Sequence, residues 1–239
     1  MPELPAALPP AERTVGQLVA ESIKAYGDRF WAMLPLGLPL ALVDQVSVRQ
    51  PAVMQLLVFF AATPLFVAAY VRACSLVLHA RPNRTAVVVA TLIYLPFPIL
   101  RAAFILPALA WFAFIGLAVP AAMVEHHAFR AALERGRQLG TADYVHALGS
   151  LAALVIVVGL SATVLSALLH TQGDNGQRAA VFLSDLVLSP LLYVGGALLY
   201  MDQVARIGSR RPEPRSRDAD LHPPLEADAA GGADAQVEP

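Results

Sequence analysis

Residues 86–124 form a run of 39 residues in which Arg101 is the only charged side chain. As one straight helix the run would extend about 58 Å, nearly twice the roughly 30 Å hydrocarbon thickness of a bilayer. It is too apolar to face water and too long to cross once, so it has to turn back. Pro96 and Pro98 remove backbone donors and bias the residues before them away from helix, and Arg101 prefers an interface to lipid. The pattern predicts two spans, 86–100 and 102–124. The first is short, and a partly re-entrant segment is its alternative.

The rest of the chain is consistent with that setting. Hydrophobic residues make up 57% of the sequence and charged residues 15%, against roughly 45–50% and 25% in soluble domains. Further apolar runs at 30–48, 52–71, 147–169 and 179–201 bring the expected spans to six. The fold class expected is all-α, a polytopic transmembrane bundle. The start, MPELPAALPPAER, lacks a basic segment followed by an apolar one, so no secretory signal is expected there. The net charge of −1 offers no footprint for nucleic acid. A single cysteine, Cys74, excludes an intramolecular disulfide and any CxxC motif and is expected to be buried in a span.

The distribution of basic residues sets the expected orientation. With six spans and a cytoplasmic N-terminus, the outside receives only Arg49, Arg101 and Arg178 of the 17 Lys and Arg, and the inside receives the other fourteen. A single crossing of 86–124 would invert the later loops and strand Arg101 in lipid. Both termini are therefore expected in the cytoplasm. Sixteen of the 17 are Arg, which with the Ala and Pro content suggests a GC-rich bacterial genome and hence the bacterial inner membrane.

Two short amphipathic helices are expected at the interface. Thr14 and Gln17 have the spacing of a capping box, and Val15, Leu18, Val19 and Tyr26 follow at helical intervals, predicting a helix over 14–28. A second is predicted over 126–140, where Phe129, Ala132, Leu133, Gly136 and Leu139 lie opposite Arg130, Glu134 and Arg137. Gly140 is read as its stop and Thr141 as the cap of the next helix. Residues 1–13 and the tail 209–239 are expected to be disordered; in the tail four arginines lie next to the membrane and seven acids are spread beyond Pro212.

Glu125-His126-His127, at the start of that second helix, admits a metal-site reading completed by His79 and His146. Adjacent histidines on a helix point about 100° apart, however, and the His-x-x-x-His spacing is absent. The change of composition is read instead as the membrane surface, and no metal or cofactor is expected.

Val119-Pro120, Glu125 and Ala131-Ala132-Leu133-Glu134-Arg135 resemble the proline, glutamate and alanine-leucine-x-arginine signature of the membrane domains attached to some glycerophosphoryl diester phosphodiesterases, and of related stand-alone bacterial membrane proteins. The ending Leu199-Tyr200-Met201-Asp202, with Arg206 after it, is similar too. The resemblance covers roughly residues 14–210. Gly136 stands where the family often has serine, and Arg206 is further from Asp202 than usual. The phosphodiesterase barrel has no counterpart in this sequence, so the resemblance implies architecture and not hydrolysis.

The remaining candidates are charges in or beside the spans. Asp44 and Asp185 fall at the depth of Arg101, and one carboxylate is expected to neutralise it. Asp202 has Arg206 four residues on, or the arginines of the surface helix, as partners; Glu125 and Arg135 complete the charge-pairing set. Gly159, Thr163 and Ala167 form a small-residue face on which another helix can approach. No nucleophile–base arrangement or phosphate-binding loop is present. The reading is a non-catalytic, membrane-embedded interaction or lipid-associated module, whose partners are the lipid bilayer, phospholipid headgroups or other membrane proteins. The alternative is a small transporter using Asp44, Arg101 and Asp185.

Overall fold

The computed structural model describes residues 9–169 and 173–210, and among them every regular element is helical. α1 (Val15–Asp28) begins at the expected capping box: the Thr14 hydroxyl accepts from the Gln17 N–H, and the Gln17 side chain accepts from the Thr14 N–H. Its Leu18, Ser22 and Tyr26 are buried. Ahead of it, Pro10–Glu12 forms a 3-10 turn that packs on the last helix. Disorder over 1–13 is corrected to that extent; residues 1–8 lie outside the described residues.

Six segments are long and apolar enough to cross a membrane. The first comprises α2 (Phe30–Met33), a 3-10 turn (Leu34–Gly37) and α3 (Leu38–Ser47). The second is α4 (Ala52–Leu78), longer than its apolar run because Arg72 is carried inside the helix. The third is α5 (Arg84–Tyr94) with α6 (Phe97–Ala103), and the fourth is α7 (Ile105–Ile115) with α8 (Ala118–Val124). α9 (Phe129–Ala142) leads to the fifth, α10 (Tyr144–Leu169). The sixth is α11 (Gly173–Leu188) with α12 (Pro190–Arg210), broken at Pro190 and reaching past the expected boundary of the tail, whose residues 211–239 lie outside the described ones.

The long apolar run does turn back, but at Phe104, whose backbone is extended, and not at Arg101, which lies within the last turn of α6. The break at Leu95-Pro96 frees helix carbonyls, and within a membrane these need partners from the protein. One is found: the Trp111 indole N–H donates to the Ile93 carbonyl at 3.0 Å. At the break before α8, the Tyr70 hydroxyl donates to the Gly116 carbonyl at 3.2 Å. Cys74 is fully buried next to Tyr70.

α12 is the axis of the bundle, packing against α1, α4, α9 and α10, whereas α10 lies at the edge with much of its apolar surface open. The aromatic side chains Phe59, Phe66, Tyr70, Tyr94 and Phe112 fill one core between α4, α5, α7 and α12. The small-residue face of α10 points outward: a Cβ built on Gly159 would meet nothing within 4 Å.

Candidate functional site

The polar side chains collect where the first and last described segments meet, here called the terminal end. Glu125 follows α8, and the chain bends there, with His126 in the left-handed region at φ 52°. The bend ends the fourth span before α9 begins. Glu125 accepts from three sides: the Arg135 Nε–H at 2.9 and 3.1 Å, the Tyr200 hydroxyl at 2.9 Å and the His127 ring at 2.9 Å. Partial burial pushes its carboxyl up, but the hydrogen bonds from Tyr200, Arg135 and His127, with the Arg135 charge, outweigh burial and hold it below the usual carboxylate range.

This contact set depends on α9 lying close to α7 and α8. Ala132, Gly136, Leu139 and Gly140 are its buried face. A Cβ on Gly136 would collide with the Ala118 backbone, and one on Gly140 with the carbonyls of Ala113 and Phe114. Gly140 is therefore not a helix stop, since α9 runs on to Ala142; it is a close-approach position. Thr141 does not cap the next helix either. Its hydroxyl donates back to the Arg137 and Gln138 carbonyls, and the Asp143 carboxylate accepts the His146 N–H at the start of α10.

Two residues along α12 from Tyr200 lies a second centre. The Asp202 side chain is fully buried and receives Arg13 Nη1 at 2.7 Å. The expected i, i+4 pair with Arg206 does not form. Arg206 donates instead to Asp143 at 2.9 Å and to the Arg13 carbonyl at 2.7 Å, and its Nη2 lies 3.3 and 3.4 Å from the ring nitrogens of His146. The reason is packing: the segment before α1 crosses α12 and delivers a guanidinium to Asp202, leaving Arg206 to reach α10. Gln203, also fully buried, donates to the Asp143 carbonyl at 3.1 Å. Asp202 Oδ2, Gln203 Oε1 and Arg206 Nε are buried without a hydrogen-bond partner among the described residues.

Sequence reasoning missed Arg13, Asp143 and Gln203. The one available signal was the capping box beside Arg13, which fixes how the chain enters α1. The residues of the metal reading are dispersed: His79 accepts from Arg29, His146 stands beside Arg206, and His127 is on Glu125. Among the described residues no three His, Cys, Asp or Glu side chains converge to hold a metal.

At the opposite end Asp44 of α3 and Asp185 of α11 face each other within hydrogen-bonding reach, with Arg101 close enough to act on both through its charge. The direct ion pair expected for Arg101 does not form. No ion pair within 4 Å joins it to either carboxylate; its guanidinium carbon lies 4.2 Å from the centre of the Phe59 ring, a cation–π contact. Asp185 is nearly fully buried, and its Oδ2 has no hydrogen-bond partner among the described residues.

Fold and site together define a class: an all-helical chain with six segments fit to cross a membrane, closed at one end by a buried polar network. No protein-family model, curated protein or solved structure matches the chain.

Proposed function

We propose that the chain is a multi-pass protein of the bacterial cytoplasmic membrane, with both termini inside, acting as a non-catalytic interaction or lipid-associated module. The observation that carries this reading is the partnering of the polar network. Glu125, the acid best placed for proton transfer, accepts from Arg135, Tyr200 and His127, and Arg13, Asp143, Asp202 and Arg206 engage one another. These groups staple α1, α9 and α10 onto α12. A group held ionised by three donors is a poor general acid at neutral pH.

The resemblance to the membrane domains of glycerophosphoryl diester phosphodiesterases is part of the same proposal. Its supporting observation is that Glu125, Arg135, Tyr200, Asp202 and Arg206, separated by up to 81 residues, all lie at one end of the bundle. A second reading, a small transporter, is favoured by the buried Asp185 Oδ2, which lies beside Asp44 without a hydrogen-bond partner among the described residues.

The test is purification in mild detergent with identification of the lipids and proteins that accompany the chain. The module reading expects a stoichiometric lipid or protein companion; a chain that purifies with neither contradicts it. Proton- or ion-coupled flux into liposomes that is lost in Asp185→Asn would favour the transporter.

A further inference from the structure

The break between α5 and α6 opens a groove of about 600 Å³, lined by Phe60, Leu92, Leu95, Ile99, Trp111 and Ile115. Its wall is held in place by the Trp111 bond to the Ile93 carbonyl. Val88 and Leu92 on α5, Leu95 at the break and Ile99 on α6 are all exposed, so an apolar strip continues from the groove along α5 back toward the terminal end. There it meets a second hollow, of about 470 Å³, formed by Pro82, Asn83, Arg84, Val87 and Val88. Asn83 fixes this mouth: its Oδ1 accepts the Ala86 N–H, and its Nδ2 donates to the Ala122 carbonyl at 2.7 Å.

The furrow is therefore apolar along its length and cationic at its mouth. Arg81 and Arg84 are exposed there, and neither makes a hydrogen bond or ion pair with a described residue. From Arg84 to Leu95 is about 16 Å at the helical rise, about the depth of one leaflet. A helix from a second copy would have to match a guanidinium at one end and a wholly apolar groove at the other. A lipid with an anionic headgroup matches both, because guanidinium donors fit phosphate oxygens and acyl chains fill apolar grooves.

We propose that this furrow binds one anionic phospholipid, its headgroup phosphate on Arg84 with Arg81 beside it, and an acyl chain laid along Val88, Leu92 and Leu95 against Phe60 and Trp111. The site rests on the lipid-associated reading above and gives it a place and a ligand class.

The test uses the full-length chain, stripped of lipid in detergent and titrated with phosphatidylglycerol or phosphatidylcholine of the same acyl chains, with bound lipid counted by native mass spectrometry. The wild type should prefer phosphatidylglycerol. Arg84→Gln should weaken phosphatidylglycerol binding about tenfold, the loss of one charge-assisted phosphate contact, and weaken phosphatidylcholine less, because its choline cation already offsets the phosphate charge. Leu92→Trp, which fills the groove, should displace both lipids. Arg130→Gln, another exposed arginine with no partner among the described residues, should change neither. Equal losses in Arg84→Gln and Arg130→Gln, or undiminished binding in Leu92→Trp, would overturn the site. Circular dichroism of each variant separates loss of lipid from loss of fold. A wild type that holds neither lipid sinks the lipid-associated reading itself, whereas a wild type whose binding survives Arg84→Gln sinks only this site.

Discussion

Arg13→Ala is the most informative single change, because Arg13 is held at a buried partner. Asp202 is fully buried and takes the Arg13 guanidinium at 2.7 Å, while Arg13 itself is 13% exposed. The other Asp202 oxygen has no hydrogen-bond partner among the described residues, and His146 Nε2 stands 3.9 Å from it. Removing Arg13 strands a carboxylate in the bundle. Breaking a buried pair from one side costs about 3–5 kcal/mol, and the partial exposure of Arg13 puts this case at the low end, about 3 kcal/mol. At roughly 2–4 °C per kcal/mol for a chain of this size, Tm should fall by about 6–12 °C. Asp202→Asn keeps an acceptor for Arg13 without the charge and should cost about 1 kcal/mol. The double variant should be more stable than the sum of the two losses implies, with a coupling of about 2 kcal/mol. The assay is thermal unfolding of all four proteins in one detergent at neutral pH, followed by circular dichroism. A fall in Tm of less than about 2 °C for Arg13→Ala, below what 1 kcal/mol produces, or an additive cycle, would refute the pairing.

Three further outcomes are expected. The folded state holds the Glu125 carboxyl below its ordinary value of 4.5, so its contribution is fully present above that pH and is lost as pH falls through the lower folded value. Glu125→Gln should therefore be less stable than wild type at neutral pH, with the difference closing below about pH 4.5 in unfolding scans; a gap that is constant with pH contradicts this. Gly140→Ala, forced against the Ala113 and Phe114 carbonyls, should cost about 1–3 kcal/mol, whereas Gly159→Ala, in open space, should be neutral or stabilising; equal effects on Tm would show that α9 is not packed closely. Reporter fusions after Arg84 and Ser209 should read cytoplasmic and one after Gln172 periplasmic, and the reverse pattern would invert the proposed orientation.

The sequence by itself determined the all-helical class, six segments fit to cross a membrane and the need for residues 86–124 to reverse, whereas the reversal itself falls at Phe104, beyond the prolines and Arg101 that were expected to mark it. Each follows from a local quantity, run length against rise per residue; the prolines break the third span internally instead of turning it. The capping box at Thr14 and the apolar face of α9 were legible for the same reason, since helix periodicity and end chemistry act over a few residues. Which charges meet was decided only by tertiary structure. Asp202 and Arg206 are correctly spaced on α12 to pair, yet Arg13, nearly two hundred positions earlier, takes Asp202, and Arg206 goes to Asp143. Asp44 and Asp185 meet each other while Arg101 rests on Phe59. A buried charge is satisfied by whichever donor the packing brings within about 3 Å, and that donor arrives from another helix; spacing along one helix records only the local candidates. Gly140 reads along the chain as a helix end because glycine often is one, and only the approach of α7 makes it a contact between helices.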